Sequence, residues 1–236
     1  MGEKQGRILG IVMTCLLVLS ILIVVKESAE YVSVLKENGT KETRHTIVID
    51  PGHGGNDSGK VAINSALEKD VNLAIALKLK KYLEQEDMEV VMTRQEDKGL
   101  YEETDSNKKV HDMKNRLAIM EGAKPALVVS VHQNSYPEES VSGVQVFYYR
   151  DSAEGKRAAL LMQEQMIATL QPAKEREAKE NSTYYILKKT TVPTIIVECG
   201  FLSNREEADR LTSEDYQERV AWAIHLGIMR YINSGA

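Results

Sequence analysis

Three polar side chains in this sequence follow apolar stretches of strand-like character. His53 comes after Ile47–Asp50, His132 ends the stretch ALVVSVH, and Glu198 ends TIIVE. If these stretches are parallel strands, their carboxyl ends meet at one edge of the sheet, where open α/β sheets bind ligands. Imidazoles and carboxylates are zinc ligands, and a carboxylate can also transfer protons. The pattern therefore predicts that the three side chains gather in one site.

Each of these residues also has an ordinary structural explanation. His53 could cap the turn made by Pro51 and the neighbouring glycines, and His132 could be a satisfied core histidine. Glu198 is harder to explain in this way, because a carboxylate that follows Ile195–Val197 is nearly buried and needs a partner. The coincidence of three such strand ends favours a functional site.

A catalytic zinc takes three protein ligands and keeps one position open, so the two histidines need one more donor. Glu68 stands near the start of a predicted helix, after the glycine-rich loop. An acidic residue in a first helical turn also favours the helix dipole, so its position has an ordinary explanation too. Spacing alone does not distinguish Glu68 from Asp57 or Asp70.

Strand-like and helix-like segments alternate along the chain from His45 onward. The predicted strands are Ile47–Asp50, Glu89–Thr93, Ala126–His132, Gly143–Tyr149 and Thr194–Cys199. The predicted helices are Asp70–Gln85, a helix from about Met113 to Gly122, Ala153–Leu170, Arg205–Arg210 and Asp215–Ile232, with a surface loop at Arg94–Asn107. This alternation predicts a single α/β domain over residues 45–236, a mostly parallel twisted sheet with helices on both faces.

The N-terminus carries an uncharged apolar run at residues 8–25. As a helix it would span about 27 Å, close to the thickness of a bilayer core. Lys4 and Arg7 precede the run, so we expect residues 1–7 to stay in the cytosol and the rest to be exported. Residues 8–25 are predicted to be a retained membrane anchor rather than a cleaved signal, and the polar residues 26–44 a tether.

Composition narrows the possible partners. The formal net charge of −5 gives no reason to expect nucleic acid binding. The two cysteines are Cys15, inside the apolar run, and Cys199, so no disulfide is expected in the exported domain. Cys199 is predicted to be buried packing.

Four motifs occur in an order that resembles a known family. DPGHGG, ALEKDVNL, VSVHQNS and PTIIVECGFLSN resemble the zinc-dependent N-acetylmuramoyl-L-alanine amidases of the amidase-3 type, over essentially Thr46 to Ile232. The resemblance implies that His53, Glu68 and His132 bind Zn²⁺. It implies that Glu198 is the catalytic general base, for hydrolysis of the amide between N-acetylmuramic acid and L-Ala of peptidoglycan stem peptides.

Two further residues are candidates for substrate binding. Asn134 lies two residues beyond His132 and could orient substrate or a ligand, or could simply form a turn. Arg116 could bind a substrate carboxylate, although an exposed helical salt bridge is the favoured interpretation.

Within the family, a short, anchored, single-domain chain most resembles the germination-specific spore-cortex amidases of endospore formers. That resemblance implies action outside the cytoplasmic membrane, on the forespore cortex side, in the formation of muramic-δ-lactam, and it leaves room for an activating protein partner. No wall-binding module is visible, and the segment between Tyr149 and Thr194 is too short for an inhibitory helix. The alternatives are another zinc hydrolase of the cell wall, such as a peptidase or deacetylase, and a non-catalytic, membrane-tethered wall-binding protein.

Overall fold

A computed structural model describes residues 2–38 and 44–235. The N-terminal unit is one helix, α1 (Gly2–Asn38), which includes the predicted segment 8–25 and continues through residues 26–38 of the predicted tether. Residues 39–43 of that tether lie outside the described residues. Within the part of the chain that the structure describes, no helix is long and apolar enough to cross a membrane. The membrane role of residues 8–25 thus stays a prediction.

From His45 the chain forms a second compact unit with its own sheet. Its strands are β1 (Thr46–Pro51), β2 (Glu89–Met92), β3 (Leu127–Asn134), β4 (Gln145–Tyr149), β5 (Lys179–Asn181) and β6 (Thr194–Phe201). Its helices are α2 (Glu68–Gln85), α3 (Lys108–Gly122), α4 (Ala153–Leu170), α5 (Tyr185–Lys189), α6 (Arg205–Leu211) and α7 (Glu214–Asn233). All ten elements expected from the sequence are present, and the short elements β5 and α5 were not expected.

The six strands form one mixed sheet in the order β2-β1-β3-β6-β4-β5. The strands β2, β1, β3 and β6 are mutually parallel, whereas β4 runs antiparallel to β6 and β5 runs parallel to β4. The expected mostly parallel sheet is therefore confirmed, since four of its five strand pairs are parallel and only the β4–β6 pair is antiparallel. The chain leaves β3 and enters β4 through a loop without a crossover helix, so nothing returns it to the parallel direction.

Helices cover both faces of the sheet, as the alternation predicted. Ile47 and Ile49 of β1 belong to the same buried apolar cluster as residues of α2, α4 and α7, while Val48 between them belongs to a second cluster with residues of α3 and with Ile186 of α5. This alternation follows from the two-residue period of a strand. Strands buried on both faces need continuous apolar sequences, which explains why β1, β3 and β6 are easy to recognise.

Candidate metal site and catalytic carboxylate

The turn after β1 brings His53 into a cavity at the carboxyl edge of the sheet. Its backbone is left-handed, with φ at 63°, and the glycines that follow it continue the sharp turn. The imidazole lies between two carboxylates. Nε2 is 3.2 Å from Glu68 Oε2, and Nδ1 is 3.0 Å from Asp57 Oδ2, although the Asp57 contact lacks hydrogen-bond alignment.

Glu68 is the first residue of α2 and is only 2% exposed. Its Oε1 accepts from the backbone N–H of Gln133 at 3.1 Å, and its Oε2 accepts from the backbone N–H of Lys60 at 2.8 Å. Burial alone would raise the pKa of Glu68, but hydrogen bonds and charge interactions with His132 and His53 hold that pKa far below its ordinary value. The side chain is therefore a fixed anion between two imidazoles.

His132 completes the cluster from β3. Its Nδ1 lies 3.0 Å from Glu68 Oε1, and its ring meets the His53 ring edge to face, with 5.1 Å between centroids. One potential ligand atom from each of His53, Glu68 and His132 lies within 4.8 Å of the other two. Of the other two acidic residues that spacing left open, Asp57 contacts His53 and the backbone N–H of Gly59 but is not part of this cluster, and Asp70 is exposed.

The donor set of this cluster fits zinc. Two imidazole nitrogens and one carboxylate oxygen are the protein ligands of several catalytic zinc sites, which keep a further position for water or substrate. Asp57 beside the second nitrogen of His53 matches another common feature, a carboxylate that orients a ligating imidazole. The spacing of Asp57 in the sequence suggested only a metal ligand and gave no sign of this second position.

Glu198 lies on β6 directly opposite His132 in the register of the two strands. It is 6% exposed, and its Oε2 is buried without a hydrogen-bond partner among the described residues. Burial raises the pKa of Glu198 to about 7; nearby His132 opposes this shift, Glu68 adds to it, and His53 opposes it. A carboxylate of this kind is suited to exchanging a proton near neutral pH.

A cavity of about 950 Å³ opens above these four residues. Its other lining includes both basic residues and aromatic or aliphatic residues, among them Lys60, Lys108, Lys109, Met113, Tyr184 and Ile196. Tyr184 is brought to the cavity by the segment between β4 and β6, where α5 lies. This volume lies at the upper end of the range of about 300–1,000 Å³ that small-molecule and cofactor sites occupy.

Arg116 is not the exposed helical residue that the sequence suggested. It is 1% exposed, and its guanidinium binds Asp50 and Asp112 with 2.6 Å contacts. The expected helical salt bridge is present, with Asp112 one turn earlier on α3. Its expected exposure is wrong, because α3 packs against the sheet and turns the Arg116 side chain toward the end of β1. The guanidinium of Arg116 is thus buried and bound to two carboxylates of the protein.

Asn134 lies at the end of β3, beyond a register shift between β3 and β6, and lines the cavity. Its side-chain oxygen accepts from the backbone N–H of Ser135 at 2.8 Å, the local contact expected of a turn-forming asparagine. Its role toward substrate stays a prediction. Cys199 is buried as expected, and burial raises the pKa of its thiol.

Gly52 has no room for a side chain. A Cβ at this position would lie 2.2 Å from Cε1 and 2.3 Å from Nε2 of His132. We expect Gly52→Ala to displace the His132 ring and to weaken zinc binding by roughly tenfold or more, as ligand misplacement does in other zinc sites. Titration of the metal-free protein with zinc against a chromophoric chelator measures this loss.

The matched control for that experiment is Gly122→Ala at the end of α3, where an added Cβ meets nothing within 4 Å. It should leave zinc affinity unchanged. Equal zinc affinities for Gly52→Ala and wild-type protein would contradict the expected displacement of His132.

A mixed α/β sheet has two histidines and one buried glutamate at its parallel strand ends, and a second buried glutamate at the start of α2. This is the arrangement of a metal-dependent hydrolase. Comparison with known proteins gives the family. Residues 47–230 match the N-acetylmuramoyl-L-alanine amidase family, and the chain belongs to it. This confirms the family and the enzyme class expected from the four motifs.

Three relatives are informative, and one of them is named as germination-specific. The chain is 37% identical over 188 residues to the germination-specific N-acetylmuramoyl-L-alanine amidase of Bacillus subtilis, covering 78% of each sequence. It is similar to the CwlD amidase of Clostridioides difficile, solved in complex with the GerS lipoprotein, with a TM-score of 0.78, 37% identity, and coverage of 81% of this chain and 100% of that one. The catalytic domain of CwlV from Bacillus (Paenibacillus) polymyxa aligns with a TM-score of 0.71 and 34% identity over 80% of this chain and 98% of that one.

Proposed function

We propose that this chain is a zinc-dependent amidase that cuts the bond between N-acetylmuramic acid and L-Ala in spore cortex peptidoglycan. Its main support is the buried Glu198 oxygen that has no partner among the described residues and lies beside the cluster of His53, Glu68 and His132. A buried carboxylate without a hydrogen-bond partner destabilises the folded protein unless a ligand, a water molecule or a reacting group binds to it.

In this proposal His53, Glu68 and His132 hold the metal. Zinc bound there would supply Lewis acidity, which makes water easier to deprotonate and an amide carbonyl easier to attack. Glu198 would take the proton from the attacking water and then deliver a proton to the departing amine of L-Ala. Asn134 at the cavity wall is available to orient the substrate.

The spore role and the location are proposed from the relatives and from the N-terminal sequence. Removal of stem peptides in the cortex would provide the substrate for muramic-δ-lactam formation. Action on peptidoglycan requires export, for which the basic residues ahead of the apolar run 8–25 are a reasonable signal. The complex of the C. difficile enzyme with a lipoprotein supports a protein partner for this chain as well.

Digestion of purified cortex peptidoglycan by the full-length protein tests the reaction. We expect mass spectrometry to find intact glycan strands and whole stem peptides with a free L-Ala amino terminus. Dialysis against a chelator should abolish this release, and added zinc should restore it. Cuts inside the stem peptide, or deacetylated sugars that still carry peptides, would instead identify a peptidase or a deacetylase, and no product at all would favour a wall-binding role.

A further inference from the structure

Two buried arginines donate hydrogen bonds to the backbone of the turn that carries His53. Arg94 donates from Nε to the carbonyl oxygen of Pro51 at 3.1 Å and from Nη2 to that of Gly52 at 3.0 Å. Arg116 donates from Nη1 to the carbonyl oxygen of Pro51 at 2.8 Å and from Nη2 to that of His53. Both side chains are at most 2% exposed. Three successive carbonyl groups are thus bound by two guanidinium groups from different parts of the chain.

The charge of Arg116 is balanced inside the protein. Asp50 and Asp112 each accept from it at 2.6 Å. Asp50 is itself fixed by hydroxyl groups, because Ser130 donates to it at 2.7 Å and Thr93 at 2.6 Å. The guanidinium therefore has one orientation, set by partners on α3 and on the sheet, and this orientation directs it toward the carbonyl groups of the turn.

The turn needs such support. His53 is in the left-handed backbone region, which residues with a Cβ seldom adopt. Its carbonyl group lies in no regular element, and Arg116 is the donor that holds it. The side chains of Asp57 and Glu68 contact the imidazole ring of His53. Backbone hydrogen bonds hold the two neighbours of His53, from Gly52 N–H to the Val131 carbonyl at 3.0 Å and from Gly54 N–H to the Asp57 carbonyl at 2.9 Å, and Arg116 adds the bond to the carbonyl of His53 itself.

We infer that Arg116 and Arg94 are positioning residues that hold the backbone of His53 in its ligand conformation and thereby set the affinity of the site for a divalent metal ion. This inference rests on the proposed zinc site but not on the identity of the bond that is cut. It replaces the substrate-carboxylate role that the sequence suggested for Arg116.

Arg116→Lys is the sharpest test. Lysine keeps the positive charge opposite Asp50 but lacks the planar fork, so it cannot reach Asp112, Pro51 and His53 at the same time. We expect the variant to remain folded and to bind zinc roughly 10- to 100-fold more weakly, the loss typical of residues that orient metal ligands. Arg94→Lys should act in the same direction, because it also loses contacts with the turn.

Zinc affinity is measured by competition of the metal-free full-length protein with a chromophoric chelator, and folding by circular dichroism and thermal melting without metal. Arg157→Lys is the matched control. Arg157 also makes several contacts, to Glu154, to the Tyr231 carbonyl group and to Ser234, but it lies outside the cavity lining. It should change the melting temperature without changing zinc affinity.

Excess zinc should restore hydrolysis by Arg116→Lys, because its ligands are intact, and should fail to restore it in His53→Ala.

Wild-type zinc affinity in a folded Arg116→Lys protein would overturn the inference while leaving the proposed amidase function standing. If Arg116→Lys does not fold, Asp112→Asn decides, because it removes the charge of one partner of the guanidinium while Asp50 stays in place, and the amide oxygen can still accept from the backbone N–H of Leu100. A several-fold loss of zinc affinity in that variant supports the inference, and an unchanged affinity overturns it. Wild-type protein that binds no zinc would overturn both proposals.

Discussion

Glu198→Gln should lower the rate of amide hydrolysis by roughly 10²- to 10⁴-fold, the range that general acid-base catalysis contributes. Glutamine has nearly the same shape as glutamate, so it should occupy the same space at the cavity wall. It cannot accept a proton from water or pass one to a leaving amine. Because Glu198 is not among the three residues of the metal cluster, we expect the variant to bind zinc as the wild type does.

The measurement pairs initial rates on purified peptidoglycan with zinc titration of the same samples. Glu207→Gln provides a control on α6, close to the end of the same strand. Burial raises the pKa of Glu207 as well, but its carboxylate accepts from the backbone N–H groups of Phe201 and Gly143, and it does not line the cavity. The control should keep most of its activity. A Glu198→Gln protein that cuts peptidoglycan at the wild-type rate would remove Glu198 from the mechanism.

The strand ends were predictable because their signal is local. His53, His132 and Glu198 each follow an apolar run, and parallel pairing of β1, β3 and β6 is enough to bring them to one edge. The structure confirms this gathering. Glu68 is different, since Asp57 and Asp70 satisfied the same spacing, and only the family resemblance favoured it. The distinguishing fact is tertiary: the start of α2 lies between the two histidines.

Other features could not be read from local patterns. Arg116 looked exposed because its helix has polar neighbours, yet its partner Asp50 lies 66 residues away in the sequence. The strand β4 was predicted, but its antiparallel direction was not. Its composition matches that of a parallel strand, and its direction depends on the path of the connection. The elements β5 and α5 are too short to show a period, although α5 brings the wall containing Tyr184 to the cavity.

Replacement of Asp50 should be the most damaging change to stability outside the ligands. We expect Asp50→Ala to lower the free energy of unfolding by about 3–5 kcal/mol, because it leaves the Arg116 charge buried with one acceptor fewer. It also leaves the hydroxyl groups of Ser130 and Thr93 without their shared acceptor. Urea unfolding of metal-free protein measures the change. Metal-free samples separate this loss from any effect of zinc binding.

A surface pair provides the comparison. Arg150 and Glu180 are 3.2 Å apart and well exposed, so Glu180→Ala should change the free energy of unfolding by less than about 1 kcal/mol. A loss of similar size in the two variants would show that the buried position of Asp50 gives it no special weight.

The pH dependence of stability gives a second, independent measure of the same carboxylate. Burial alone would raise the pKa of Asp50, but Arg116, Ser130 and Thr93 hold it below its ordinary value in the folded protein. Its stabilising contribution is therefore complete above the ordinary carboxyl pKa of about 3.9 and is lost as the pH falls through the lower folded value. Asp50→Asn cannot lose a contribution that it lacks, so its stability should fall less steeply than that of the wild type in acid. Parallel acid profiles for the two proteins would mean that Asp50 does not carry the charge that holds Arg116, and with it the turn of His53.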